Sequence, residues 1–233
     1  NADEVSASLG MPGITNAVED VIVAREILLA KETGCRLHLC HCSTEDSVKM
    51  VRMAKADGVH VTAEVCPHHF AMTSDEIVSD DANYKMNPPL RTAADVEALK
   101  KGLSEDIMDV IATDHAPHAS EEKEKGILKA PFGIVGLETA AALTYTHLVK
   151  PGLLTVMQMA EKNNYHPARI LGLNKGVIEE GAPADLVIFD PDREWVIDPS
   201  EFLSKGKNTP FAGKKVFGKV TATIVNGEIA FEE

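Results

Sequence analysis

The sequence predicts an α/β fold built on a parallel sheet, followed by a small all-β unit. Three observations carry that prediction. Short β-branched runs alternate with amphipathic stretches as far as about residue 173, the pattern of strands joined by right-handed helical crossovers. Capping residues stand at the boundaries of the helical stretches. From about residue 175 the composition shifts to β-branched runs punctuated by Gly, Pro and an Asn226-Gly227 hairpin signal.

Taken in order, Thr15 or Asn16 caps a helix through AVEDVIVAREILLAKET, with Glu19 and Asp20 near its start and Gly34 just beyond its end. A strand follows at 36–42, and Ser43 or Thr44 caps a second helix, EDSVKMVRMAKAD, ended by Gly58. The strand HVTAEVC runs to Pro67, and after an irregular YKMNPPLRT loop a helix spans about 92–103. The strand MDVIATD ends at Asp114. A polar loop at 118–129 reads as solvated and mobile and leads into APFGIVGLETAAALTYTHL, a loop-to-helix segment. Helices over 150–173 close this part, with NNYHPARILGL as a turn and a short last helix.

Composition narrows the function. The 233 residues are 44% hydrophobic and 25% charged, ordinary for a folded globular chain. A net charge of −13 without Lys/Arg stripes argues against nucleic acid. No apolar run approaches the about 20 residues needed to span a bilayer and no signal-peptide pattern opens the chain, so a cytoplasmic location without membrane contact is expected. Cys35, Cys40, Cys42 and Cys66 lie in apolar surroundings and read as buried free thiols.

Polar clusters gather at the ends of three predicted strands, where parallel α/β folds place chemistry. As a strand, RLHLCHC puts His38, Cys40 and Cys42 on one face and Leu37, Leu39 and His41 on the other. The cysteines then cannot join His41 around one ion and read as packing residues, and the CxxC-type turns of a structural zinc site are absent. His41 alone is either a core histidine or a strand-end ligand. AEVCPHHF brings Glu64, His68 and His69 to a second strand end; adjacent histidines in extended backbone face opposite ways, so at most one faces a site and a packing role is simpler. In IATDHAPH, Asp114 ends an apolar strand, where an unpaired buried carboxylate calls for a metal or cation; the plain alternative is a loop cap. His115 and His118 follow around Pro117. KMNPPLR offers Asn87 and Arg91 about a rigid Pro-Pro turn, and an asparagine amide can both donate to and accept from a ureide.

Together, HLCHCST, AEVCPHH, KMNPPLRT, ATDHAPH, APFGIVGLE and KNTPFAGKKVFGKVTATIVNGE resemble dihydroorotases of the class I bacterial type, in the amidohydrolase superfamily. The resemblance runs over essentially the whole chain in the family's order. The conjunction of ATDHAPH with NPPLR and PFG makes it specific. It implies the C-terminal part of a (β/α)₈ TIM-type barrel over 1–175 and, over 176–233, the C-terminal contribution to a composite β-sandwich domain. It also implies a zinc pair and the reversible cyclisation of N-carbamoyl-L-aspartate to L-dihydroorotate in pyrimidine biosynthesis. His41 then resembles a zinc-binding histidine, and Asp114 the carboxylate that both binds metal and shuttles the proton. Asn87 and His118, with the backbone at Phe132 and Gly133, resemble substrate-binding positions. The residue types suit that chemistry: zinc acidifies water and polarises a carbonyl, a neighbouring carboxylate relays the proton, and an imidazole pairs with the substrate carboxylate.

The family also supplies a His-x-His pair, an acidic or modified-lysine ligand and another strand-end histidine. No His-x-His occurs among the histidines at 38, 41, 60, 68, 69, 115, 118, 147 and 166. The chain, starting at Asn1 in what reads as mid-loop, is therefore expected to be the C-terminal portion of a longer dihydroorotase. Half a barrel leaves open sheet edges, so pairing with the absent N-terminal half or a second copy is expected. Weak zinc binding and no turnover by the isolated chain follow from the short ligand set. Besides a small-molecule substrate, two competing readings bear on partners. An allantoinase- or hydantoinase-like amidase would keep His41 and Asp114 but lack the pairing of His118 with Asn87. A non-catalytic dihydroorotase-like subunit would support aspartate transcarbamoylase, against which the retained His41, Asp114 and His118 speak.

Overall fold

Leu37–Leu39 (β1), Val61–Val65 (β2) and Val110–Ile111 (β3) form a three-stranded parallel sheet in the computed structural model, which describes all 233 residues. The register pairs Leu37 with Val61 and Leu39 with Ala63, then Glu64 with Val110 and Val65 with Ile111. Val61, Ala63 and Val65 are buried, while Thr62 and Glu64 turn to the opposite face, as the pleat requires. The chain divides into two compact units, Asn1–Glu138 with Asp198–Pro210, and Thr139–Ile197 with Phe211–Glu233.

The first unit holds the sheet and seven helices: Glu4–Ser8 (α1), Asn16–Thr33 (α2), Glu45–Ala56 (α3), Pro67–Ala71 (α4), Ala93–Ser104 (α5), Ser120–Lys123 (α6) and Gly126–Lys129 (α7). Gly34 ends α2 in the left-handed conformation at φ 70°, which glycine adopts without a Cβ penalty. Thr44 caps α3 by accepting the Ser47 N–H at 3.0 Å, and Thr92 and Asp95 form a reciprocal capping box on α5. Val48, Val51 and Ala54 of α3, and Val96, Leu99 and Leu103 of α5, are buried at helical spacing. Gly102 permits that approach, since a Cβ there would lie 2.9 Å from Val48 Cγ1. By contrast α2 buries only Val23 and Ala30 and exposes Val18, Val21, Leu28 and Leu29, a contiguous apolar stripe of the kind that marks an interface.

Arg91 is the buried hub of this unit, 2% exposed. Its Nε donates to Ser43 Oγ at 3.0 Å, Nη1 donates to Ile14 O at 2.9 Å and to Asn1 Oδ1 at 3.1 Å, and Nη2 lies 3.6 Å from Glu19. Glu19 in turn accepts the Ser43 N–H at 2.7 Å and the Ser47 hydroxyl at 2.9 Å. The turn that follows β1 is thereby bolted to α2. Arg91→Met leaves the Glu19 carboxylate unmatched in the interior, so a loss of about 3 kcal/mol is expected. Arg91→Lys should rescue little, because a single ammonium cannot reach the partners spread around the planar guanidinium. Urea midpoints of the two variants check this, and a Lys variant as stable as the parent would contradict it.

The second unit contains Ala140–Thr144 (α8), Val156–Ala160 (α9), His166–Leu171 (α10) and an antiparallel sheet of Leu186–Val196 (β4), Lys215–Val225 (β5) and Glu228–Glu232 (β6). Helices α8 and α9 run on into wide turns at Tyr145–Val149 and Glu161–Tyr165, the first closed by the Lys150 N–H donating to Tyr145 O at 2.8 Å. Asn226 (φ 51°) and Gly227 (φ 82°) make the tight β5–β6 hairpin their dipeptide signals. Phe217 anchors the wide turn: its N–H donates to Thr146 Oγ1 at 2.8 Å, and Lys150 Nζ lies 3.4 Å from its ring centroid.

Several local expectations are corrected. Strands β1 and β3 are shorter than the runs at 36–42 and 108–114, because His41 (φ 41°) and Asp114 (φ 46°) are left-handed and break the pleat. Side-chain alternation therefore fails past Leu39, and Cys40 is exposed while Cys42 is buried. His68 and His69 are both buried on α4 rather than facing opposite ways along a strand. The segment 118–129 is not a solvated loop: it carries α6 and α7 and buries Lys123. Asn163–Tyr165 lies inside a continuous helical run instead of a turn.

Candidate active site

His41 and Asp114 stand just past the C-terminal ends of β1 and β3, and both are held in the left-handed region. For residues with a Cβ this costs of order 1–3 kcal/mol, and such strain concentrates at functional sites. For His41 the strain is held by Glu64 at the end of β2, whose Oε1 accepts the His41 N–H at 3.1 Å and whose backbone carbonyl accepts the Cys42 N–H at 2.9 Å. Glu64 Oε2 also accepts from His38 Nε2 at 3.0 Å, and His38 Nδ1 meets Thr62 Oγ1 at 2.8 Å. The ends of β1 and β2 thus share one polar network.

Neither the His41 ring nor the Asp114 carboxylate has a protein hydrogen-bond partner, yet they are electrostatically coupled. Half-burial raises the proton affinity of Asp114, the nearby His41 lowers it and Glu64 raises it again. An imidazole and a carboxylate that converge without other partners are hard-to-borderline donors suited to a divalent ion. They fit a share of a metal centre, two donors of the four or more that such a centre needs. Cys40 stands beside them, its thiol pushed up first by burial and then by Glu64 and Asp114.

The remaining predicted residues form a second group. His118 Nε2–H donates to Phe132 O at 2.9 Å, so ring and loop are joined directly. Gly133 is buried at φ 134°, with its N–H donating to Lys85 O at 3.0 Å. A Cβ at Gly133 would fall 2.4 Å from Ala116 Cβ and 3.1 Å from His118 Nε2. Gly133→Ala should therefore displace His118 as well as strain the backbone, lowering the thermal midpoint by several degrees; an unchanged midpoint would mean the loop relaxes freely. Asn87 is exposed, its amide free of protein partners, two residues along from Lys85. Ala116, in the segment joining Asp114 to His118, pairs with the Phe132–Gly133 loop, its N–H donating to Ile134 O at 2.8 Å.

Sequence reading missed the two residues that hold this loop. Lys123 is buried and its ammonium donates to Gly133 O at 2.9 Å, Pro131 O at 3.1 Å and Lys85 O at 3.3 Å. Burial, then the charge of Lys85, lowers its pKa to about 8. Asn208 accepts the His118 N–H at 2.9 Å and donates to Gly133 O at 3.0 Å and Ala116 O at 3.1 Å. The only signals were Lys123 inside an acidic-basic run and Asn208 inside KNTPFAGKK. A cleft of about 470 Å³ opens beside His118, lined by Asp81, Asn83, Lys123, Lys207 and Asn208.

No helix is long and apolar enough to cross a membrane. Residues 13–230 match the model of the amidohydrolase family. The chain is 52% identical over 228 residues to a dihydroorotase of Staphylococcus epidermidis, covering 98% of this chain and 54% of that protein. A dihydroorotase of Pelotomaculum thermopropionicum is likewise 52% identical over 229 residues, with the same coverage. The chain thus spans about half the length of the curated relatives it matches. Among solved structures, an L-hydantoinase (dihydropyrimidinase) from Arthrobacter aurescens superposes with a TM-score of 0.87 at 34% identity, over 92% of this chain and 49% of that one. A dihydropyrimidinase from Brevibacillus agri gives 0.89 at 25% identity, over 94% of this chain and 49% of that one. With its family match over residues 13–230 and a backbone that superposes on those enzymes, the chain belongs to the amidohydrolase family, of which it carries part of the α/β barrel.

Proposed function

We propose that this chain is the C-terminal portion of a zinc-dependent dihydroorotase, acting in the cytoplasm on L-dihydroorotate and N-carbamoyl-L-aspartate. The observation that carries the reading is the convergence of His41 and Asp114, two unpartnered donors, in a chain 52% identical to dihydroorotases. Residues 1–175 are its barrel segment and 176–233 its share of a β-sandwich domain.

His41 and Asp114 would hold metal, with the remaining ligands from outside this chain. A bound ion would polarise the scissile carbonyl and make water acidic enough to attack it. Asp114 accepts the proton of that water and delivers it to the ring nitrogen as the amide C–N bond breaks, while the water oxygen stays on the carbonyl carbon. His118, whose Nε2–H is held by Phe132 O and whose Nδ1 lies 3.6 Å from Glu122, would pair with the substrate carboxylate as an imidazolium, its Nδ1–H turning from Glu122 to the substrate. Asn87 reads the ureide, and the backbone at Phe132 and Gly133 completes the cradle. The exposed apolar stripe of α2 supports contact with the rest of the barrel or with another copy. A partnership with aspartate transcarbamoylase is compatible with either arrangement.

The hydantoinase-like structures favour a second reading, a cyclic amidase for neutral rings. A full-length chain offered dihydroorotate, dihydrouracil, hydantoin and allantoin separates the two. We expect turnover of dihydroorotate alone, with KM rising at least tenfold in His118→Gln, because a charge-assisted hydrogen bond is worth about 1.5–3 kcal/mol. Comparable kcat/KM on dihydrouracil, which lacks the carboxylate, would sink the dihydroorotase assignment.

A further inference from the structure

The first turn of α4 contains an arrangement that the dihydroorotase chemistry does not use. Cys66 caps the helix, Pro67 opens it, and His68 and His69 follow, so three donors arise from four consecutive residues. All three are interior: Cys66 is 0% exposed, His68 2% and His69 1%. Their donor atoms lie within 4.8 Å of one another, and the two imidazole rings meet edge to face with centroids 4.2 Å apart. Two ring nitrogens, His68 Nε2 and His69 Nδ1, are buried without any hydrogen-bond partner. Buried polar atoms are nearly always paired, so two orphans beside one thiol require an explanation.

The tautomer of His69 supplies one. Its Nε2–H donates to the Pro88 carbonyl at 2.9 Å, which leaves Nδ1 unprotonated with its lone pair free. A ring nitrogen held to a backbone carbonyl while the other faces inward is the usual orientation of a metal-ligating histidine. Cys66 is a free thiol whose proton affinity is raised first by burial and then by the nearby Asp114 and Glu64. The same negative field favours a cation at its sulfur. Burial also holds both imidazoles in the neutral form that coordinates metal.

We propose that Cys66, His68 and His69 form a structural zinc site of their own, behind the strand-end donors, with Zn²⁺ bound by the Cys66 thiolate, His68 Nε2 and His69 Nδ1. On binding, Cys66 gives up its proton to solvent and the ion's charge is offset by the thiolate. Tetrahedral zinc with sulfur and nitrogen ligands sets donor atoms about 3.3–3.8 Å apart, so the cluster need contract by no more than about 1 Å. Three of the four ligands come from this chain and are already buried in it, and the fourth position would be taken by water.

The test uses the full-length chain and reads a sulfur ligand rather than turnover. Metal-free protein titrated with Co²⁺ should develop one equivalent of thiolate-to-cobalt charge-transfer absorption. The band should be lost in Cys66→Ser, diminished in His69→Asn and retained in Cys40→Ser. Zinc-edge X-ray absorption of the unmodified protein should count one sulfur among its zinc ligands, which keeps the proposal decidable if a variant fails to fold. Absence of any sulfur ligand overturns it. So does a band removed by Cys40→Ser and kept in Cys66→Ser, which would place the ion at the His38, Cys40 and Glu64 cluster instead.

Discussion

Asp114→Asn in the full-length chain lowers kcat by about 10³-fold, the scale of a general acid–base group, while the thermal midpoint of the metal-free protein stays level or rises. Both halves follow from the same geometry. The carboxylate is half-buried, has no hydrogen-bond donor and sits near the negative Glu64, which together outweigh the opposing pull of His41, so its charge is a liability to the fold. The amide removes that liability but can neither take a proton from water nor pass one to a leaving nitrogen. Steady-state rates on dihydroorotate, with calorimetry of the metal-stripped chain, measure the two effects together. A variant within tenfold of the parent in kcat would end the role assigned to Asp114. A large fall in thermal midpoint would show instead that the carboxylate carries structural load.

The second large effect belongs to Lys123. Replacing it with Met leaves Pro131 O without its donor, at about 1–3 kcal/mol, and strips the charged donor from Lys85 O and Gly133 O, which keep only the Gly133 N–H and the Asn208 amide. The loop that presents Phe132, Gly133 and His118 then loosens. We expect KM for dihydroorotate to rise about tenfold or more, equivalent to about 1.4 kcal/mol, with kcat changed far less because His41 and Asp114 are untouched. The pH dependence carries the sign. Lys123 titrates at about 8 in the fold, against 10.5 for a free lysine. Between those values the unfolded chain holds more protons, so the contribution of this group to global stability rises with pH. Loop order moves the other way, since a neutral amine has two N–H groups for three carbonyls. KM should therefore climb above about pH 8 in the parent without loss of global stability, and that climb should vanish in Lys123→Met. Identical KM profiles for the two proteins would remove Lys123 from substrate positioning.

The strand-end positions of His41 and Asp114 were legible in the sequence, because each closes an apolar run. The roles proposed for them and for His118 rest on the resemblance of the whole motif set. Helix boundaries at Thr44 and Gly34 followed from capping and from the lack of a Cβ in the left-handed region. The errors share a cause. RLHLCHC reads as a strand of seven residues, yet the chain turns left-handed at His41, and nothing in the composition marks where a pleat will break. His68 and His69 read as extended because they follow the strand HVTAEVC directly; Pro67, at the first helical position, starts α4 instead.

Residue types, their order and their capping chemistry thus determined the α/β alternation, the strand-end positions of the chemistry and the Asn226-Gly227 hairpin. Only the tertiary structure decided which polar groups are bolted and which are left free. Lys123 reaches a carbonyl 38 positions away, and Asn208 donates to one 92 positions away. Arg91 reaches across 90. Such partners are chosen by parallel pairing and chain closure, whose register no window of neighbouring residues contains. For the same reason an acidic-basic run that looks solvated can bury its one decisive lysine, and two adjacent histidines can each bury a ring nitrogen that has no hydrogen-bond partner.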